Sequence, residues 1–138
     1  MSRNNHGISG LINVPSARFS DEGVSALTIY RGEPDRKYSF TFSPYDWMEG
    51  GFYYSDITGK PYGDGYKQSL KDKGFNVKFK FKEQGKYPAL AIGFNDLAGT
   101  GIYASEYLVS SYKINNFDFT LGIGWGNLAG SATFKNPF

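Results

Sequence analysis

Cysteine is absent from the 138-residue sequence, so neither a disulfide framework nor thiol chemistry is open to it. Histidine occurs once, as His6 in a polar N-terminal stretch. A metal site needs several convergent ligands, and one histidine without cysteine does not supply them. No GxSxG elbow is present to seat a catalytic serine. No apolar run approaches the roughly 20 residues of a spanning helix, and mean hydropathy is negative. That argues against a helical membrane protein. It does not exclude a membrane β-barrel, whose alternating strands average out. Net charge is only +2, too small to argue for nucleic acid. The opening MSRNNHGISGLINVP does not read as a signal peptide. Ser9, Gly10 and Asn13 interrupt its apolar run, and no small-residue cleavage site follows. An exported protein would need a leader that this stretch does not provide.

Aromatics and glycine are plentiful. Eleven Tyr, twelve Phe and 18 Gly favour strands and tight turns over helices. The most ordered stretch is FNVKFKFK, residues 75–82. Phe75, Val77, Phe79 and Phe81 fall on one strand face, and Asn76, Lys78, Lys80 and Lys82 on the other. The pattern recurs at 117–125, where Phe117, Phe119, Leu121, Ile123 and Trp125 oppose Asp118, Thr120, Gly122 and Gly124.

Taken in order, residues 1–9 read as polar and mobile, and 10–23 as a leading segment with a turn. Strands are expected at 24–31, 38–43, 47–57, 75–82, around 90–94, 102–113 and 117–128. Turns fall at 33–35, 44–46, 84–86, 96–101 and Asn115-Asn116. Residues 58–73, TGKPYGDGYKQSLKDK, lack any period of two and read as the one long connection, with a helical turn conceivable at 66–70. Proteolysis is expected there first, at Lys60, Lys67 or Lys71. One further short strand is conceivable in 129–138. The expected fold is all-β: an antiparallel meander of about seven to eight strands, a partial or complete β-barrel, with 1–138 as a single domain.

Periodicity does not say which face meets water. In a small soluble barrel binding an apolar ligand, the aromatics point inward. In a membrane barrel they point outward and the polar face lines the interior. The residues opposite the aromatics favour the membrane reading. They are small: Gly122 and Gly124, Ala89, Ala91 and Gly93, Ser39, Thr41 and Ser43. A glycine row suits close backbone approach better than a solvated face. Phe79, Leu90, Phe119 and Ile123 are then expected to face lipid.

Three segments carry a family resemblance: GLINVPSARFSDEG at 10–23, DKGFNVKFKF at 72–81 and PALAIGFNDLAGTGIYASEYLVSSYKINNFDFTLGIGWGNL at 88–128. They resemble the YjbH-like family of bacterial exopolysaccharide biosynthesis proteins, which are outer-membrane β-barrels. The resemblance implies an exported protein that helps secrete or assemble extracellular polysaccharide, with no catalytic centre and no cofactor. Members are several times longer, so 138 residues would be an N-terminal portion. About seven strands leave two open edges, to be met by self-assembly or additional strands.

Candidate chemistry is thin. Glu49, Asp96, Glu106 and Asp118 invite a glycosidase pair. The simpler reading is that they counter Lys78, Lys80, Lys82 and Arg31 within the sheet. GDG at 63–65 and AGTG at 98–101 lack phosphate-loop spacing, and Asp64 with Asp56 and Asp72 lacks calcium-loop spacing. A stacking platform for nucleic acid would put Phe and Lys on one face, whereas here they lie on opposite faces. The sharpest expectation is a lumen rail. Lys78, Lys80 and Lys82 point inward, partly paired by Glu49, Glu106 and Asp118, and guide an anionic polysaccharide. Tyr53 and Tyr30 then offer sugar-stacking surfaces.

Overall fold

The computed structural model describes residues 1–127 apart from 34, 62, 64, 66 and 67. A small hairpin of β1 (Gly10–Leu11) and β2 (Val14–Pro15) comes first. Then follow β3 (Ser25–Arg31), β4 (Asp35–Tyr45), β5 (Met48–Pro61), β6 (Ser69–Lys82), β7 (Ala89–Asn95), β8 (Ser105–Ile114) and β9 (Phe117–Gly126). These seven form one sheet in sequence order, each antiparallel to the next. It is the expected all-β meander. Among the described residues β3 and β9 are its two edges and do not pair with each other. The β8–β9 turn is the two-residue Asn115-Asn116, and Asn115 takes the left-handed φ of 51° that this turn requires and asparagine tolerates.

Two expectations about the chain are corrected. The connection expected at 58–73 is shorter, because β5 continues to Pro61 and β6 starts at Ser69. Gly, Pro and charged residues on both faces hide the alternation there. The ladder nonetheless runs through Asp56↔Lys71 and Ile57↔Leu70. Lys71 therefore lies in a paired strand, with its ammonium 3.2 Å from Asp56, and is not an open protease site. Ser69 and Leu70 are strand rather than helical turn; Tyr66, Lys67, Asp64 and the strand expected in 129–138 lie outside the described residues. The second correction is residues 1–9. Asn4, Ile8 and Ser9 are buried against the sheet. A polar segment packs here because the face beneath it is polar.

The two faces are the reverse of a water-soluble sheet. Leu27, Ile29, Phe40, Phe75, Phe119 and Leu121 are exposed on the bare face. Met48, Phe79, Ile92, Leu108 and Ile123 form a row across it in register. The other face, covered by residues 1–20, buries Lys37, Thr41, Glu49, Ser55, Asp72 and Lys78. Among the described residues a small apolar cluster, Ala17, Phe19, Ala89, Ala91, Tyr107 and Val109, lies within it.

The small residues of the covered face have a specific use. Tyr107 sits opposite Gly93 and lays its ring over it; a Cβ at Gly93 would come within 2.1 Å of that ring. Tyr53 covers Gly74 in the same way, its hydroxyl 2.7 Å from where the Cβ would be. Gly93→Val should therefore destabilise by about 1–3 kcal/mol through overpacking. Gly85→Ala, which would meet nothing within 4 Å, should have little effect. Urea unfolding of both variants in detergent micelles checks this; equal stability would mean that the ring is not seated on the glycine.

Candidate functional site

The covered face and the N-terminal segment meet in a buried ionic knot. Register places Glu49 of β5 directly opposite Lys78 of β6, and both side chains are fully buried. The Lys78 ammonium donates to the carbonyl oxygens of Ser9 at 3.2 Å, Ser16 at 3.2 Å and Arg18 at 2.7 Å. It lies 4.0 Å from Glu49 Oε2 and 4.3 Å from the centroid of the Phe19 ring. Glu49 in turn accepts from the Ser9 N–H and the Ser9 hydroxyl, each at 2.6 Å, and from Arg3 at 3.0 Å. Arg3 also donates to Ser20 at 2.7 Å. A buried charge is tolerable only with such complete pairing. The effect is to pin residues 3–20 onto the sheet as a plug.

A second cluster lies where the plug turns. Lys37 Nζ sits 3.8 Å from the Tyr103 ring centroid and 5.4 Å from that of Tyr53. Tyr53 donates to Asp72 at 3.1 Å, and Thr100 also bonds Asp72. Tyr103 donates its hydroxyl to Asp35, and its N–H reaches Asp96 at 3.2 Å. His6 stands edge-on to Tyr103 at 6.3 Å, and its backbone carbonyl accepts from Asn76 at 3.1 Å.

Burial, and secondarily the charge of Lys37, lowers the His6 pKa from 6.5 to about 4. Above pH 6.5 His6 is neutral in both folded and unfolded chains. Below it the unfolded chain takes up a proton that the folded one resists. Stability should therefore fall by about 3 kcal/mol between pH 6.5 and 4. Urea midpoints across that window check it against His6→Gln, which should show a flatter profile. Identical profiles would remove His6 as the cause.

The residues expected to form a lumen rail are only partly together. Lys78 points inward but is wholly engaged by the plug. Lys80 points inward, 3.8 Å from Glu83 and 5.3 Å from the centroid of the Phe19 ring. Lys82 does not join them. An irregularity between Lys80 and Lys82 pairs Lys82 with Leu90, and it is exposed, 4.5 Å from the Tyr87 ring centroid. The extra residue at the strand end turns the side chain over. Glu106 is also corrected. It lies opposite Phe94 and Trp125, on the bare face, because Tyr107 and Val109 take the covered side of β8. Asp118 points inward and pairs with Arg18 at 2.9 and 2.7 Å. Tyr53 is buried under Tyr103 and the plug rather than open to a sugar. The countercharge reading holds for Glu49, which lies opposite Lys78 and also pairs with Arg3, whereas Asp118 pairs with Arg18 of the covering segment instead of a lysine of the sheet.

Those two arginines, with Ser9, are what sequence reasoning missed. The available signal was the mixed charge of one sheet face, Lys37, Glu49, Asp72 and Lys78, which needs a polar partner. Among the described residues no group of three or more His, Asp and Glu is placed to hold a metal.

No solved structure matches the chain. An Escherichia coli (strain K12) protein named "Uncharacterized lipoprotein YjbH" is 37% identical over 144 residues, covering 99% of this chain and 20% of that protein. The chain thus spans about a fifth of the length of the curated relative it matches. The likeness expected from residues 10–23, 72–81 and 88–128 extends over nearly the whole chain. With a match over residues 2–138, the chain belongs to the YjbH family, described as "Exopolysaccharide biosynthesis protein YbjH".

Proposed function

We propose that this chain is part of a non-enzymatic outer-membrane β-barrel that serves exopolysaccharide production, with the bare face against lipid and residues 1–20 filling the interior. One observation carries the reading: large apolar side chains are exposed across the sheet while Lys78, Glu49, Asp72 and Lys37 are buried beneath it. In water that arrangement wastes apolar burial and desolvates charge, whereas in a bilayer it is the stable one. A soluble barrel with an aromatic cavity needs the opposite facing. Aromatic placement agrees. Tyr45 and Trp47 stack at 5.2 Å, and Trp47 stacks on Phe79 at 6.3 Å, at the β4–β5 end. Trp125 lies near the other end of the sheet, as an interfacial girdle requires. The relative's name as a lipoprotein and the family's description supply the membrane and polysaccharide parts of the reading.

The two longest connections between strands of the seven-stranded sheet, 62–68 and 96–104, share one end of it. Long loops face outward and short turns inward in such barrels, which puts Tyr45, Trp47 and Tyr87 on the periplasmic side. Lys80, which points to the covered side at that same end, is then the position to meet an anionic polymer.

The two tryptophans are the test. In vesicles containing brominated lipids, Trp47 and Trp125 should be quenched most by bromines placed near the headgroups. Absence of quenching would sink the membrane reading. For the polymer, Lys80→Gln should lower secretion in a cell carrying the longer polypeptide while leaving folding intact. Unchanged secretion would remove the anionic partner.

A further inference from the structure

The bare face is not uniform along its length. At the end where the long connections lie, two registered rows replace its apolar surface with charge. One row runs Arg31, Arg36, Asp56, Lys71 across β3, β4, β5 and β6. The next, two residues further into the sheet, runs Ile29, Tyr38, Tyr54, Lys73. Leu27, Phe40, Phe52 and Phe75 continue the same columns, so all of these side chains belong to the bare face.

Four cations stand in these rows against one carboxylate. Asp56 holds Lys71 at 3.2 Å. Arg31, Arg36 and Lys73 are exposed, and among the described residues no carboxylate is in ion-pair contact with them. Arg31 and Arg36 are direct cross-strand partners. Like charges so placed cost stability, and an anion held between them reverses that. The depth is that of headgroups. From Met48 to Asp56, β5 climbs about 27 Å, or about 20 Å in depth at the usual strand tilt. The Trp47 stack and the basic rows therefore border an apolar band close to the height of about 25 Å found in such barrels.

Below the rows, on β4, β5 and β6, lies an apolar groove of about 500 Å³ walled by Phe40, Phe42, Phe52, Phe75 and Val77. Gly50 opens it, pairing with Phe42 and Val77 and placing no side chain between them. We propose that rows and groove together seat one phosphate-bearing membrane lipid, its phosphate on Arg31, Arg36 and Lys73 and one acyl chain over Gly50. This proposal rests on the membrane reading above, in which that border faces outward. Charge and position select the occupant. Guanidinium groups take phosphate bidentately, and basic side chains at a membrane border meet anionic headgroups. A free phosphate would use the cations and leave the groove without a role. Cations and groove lie in the same columns, as the headgroup and chain of one molecule do.

Native mass spectrometry of the 138-residue chain released from detergent micelles tests it. Lipid A is the phosphorylated probe and phosphatidylcholine the net-neutral one. One lipid A should be retained in preference to phosphatidylcholine. Arg36→Gln with Lys73→Gln should weaken lipid A binding by about 30-fold. Gly50→Leu, which fills the groove, should weaken it several-fold through lost packing. Lys113→Gln, an exposed cation at the opposite end of the sheet, should leave it unchanged. Equal retention of the two lipids would overturn the proposal, and so would a double variant that binds lipid A normally. Displacement of lipid A by millimolar inorganic phosphate would assign the cations to a free anion, and a silent Gly50→Leu would remove the acyl chain from the groove; either overturns it too. Tryptophan quenching in vesicles of brominated lipid separates the cases. Quenching without lipid A selectivity defeats the lipid seat alone, whereas no quenching defeats the membrane reading beneath it.

Discussion

Lys78→Met should cost the fold about 3–5 kcal/mol, the usual result of removing one member of a buried ion pair. The loss has two sources. Glu49, fully buried, keeps Arg3 and Ser9 but loses the ammonium 4.0 Å away. The carbonyl oxygens of Ser9, Ser16 and Arg18 lose their shared donor. Methionine matches the length of the stem, so a cavity contributes little. Urea unfolding in micelles measures the total. Trypsin cleavage after Arg3 and Arg18 reads release of the plug specifically, because both are tied down in the folded chain. Adding Glu49→Gln should deepen the loss, since Arg3 then loses the carboxylate 3.0 Å away. A loss below about 1 kcal/mol would place the pair in the class of solvated ion pairs and would mean that the plug is held by other contacts.

Leu108→Arg should cost about 2–4 kcal/mol in a bilayer, the penalty for a cation at mid-depth on the lipid face of a barrel. Leu108 sits in the registered row between Ile92 and Ile123. It is 38% exposed on the face where no segment of the described chain packs. The same substitution on an exposed face in water should stay within about 0.5 kcal/mol. Unfolding from lipid vesicles therefore discriminates sharply. A near-zero change there would mean that this face is not in hydrocarbon.

Alternation made the strands legible. The aromatic runs at 38–43, 75–82 and 117–125 each set a strand and the side on which its rings lie, because a period of two admits no other regular structure. The family likeness was legible for a different reason: long stretches such as 88–128 are specific as text. The ends of β5 and β6 were not legible, since Gly59, Pro61 and mixed charges erase the period while the backbone ladder continues beneath them. Nor were the inward and outward sides of Lys82 and Glu106. One bulge reverses Lys82, and the neighbours Tyr107 and Val109 decide Glu106.

The amino-acid sequence by itself determined the meander, its hairpin turns and the division of each strand into an apolar and a polar or small-residue side. These are local properties, set by neighbours two residues apart. Only the tertiary structure decided which side is covered, and by what. Residues 1–20 carry no period, so nothing local marks them as a plug. Their role exists only because β5 and β6 bring Glu49 and Lys78 together, and that pair needs the Arg3 guanidinium, the Ser9 hydroxyl and three backbone carbonyls to be stable away from water.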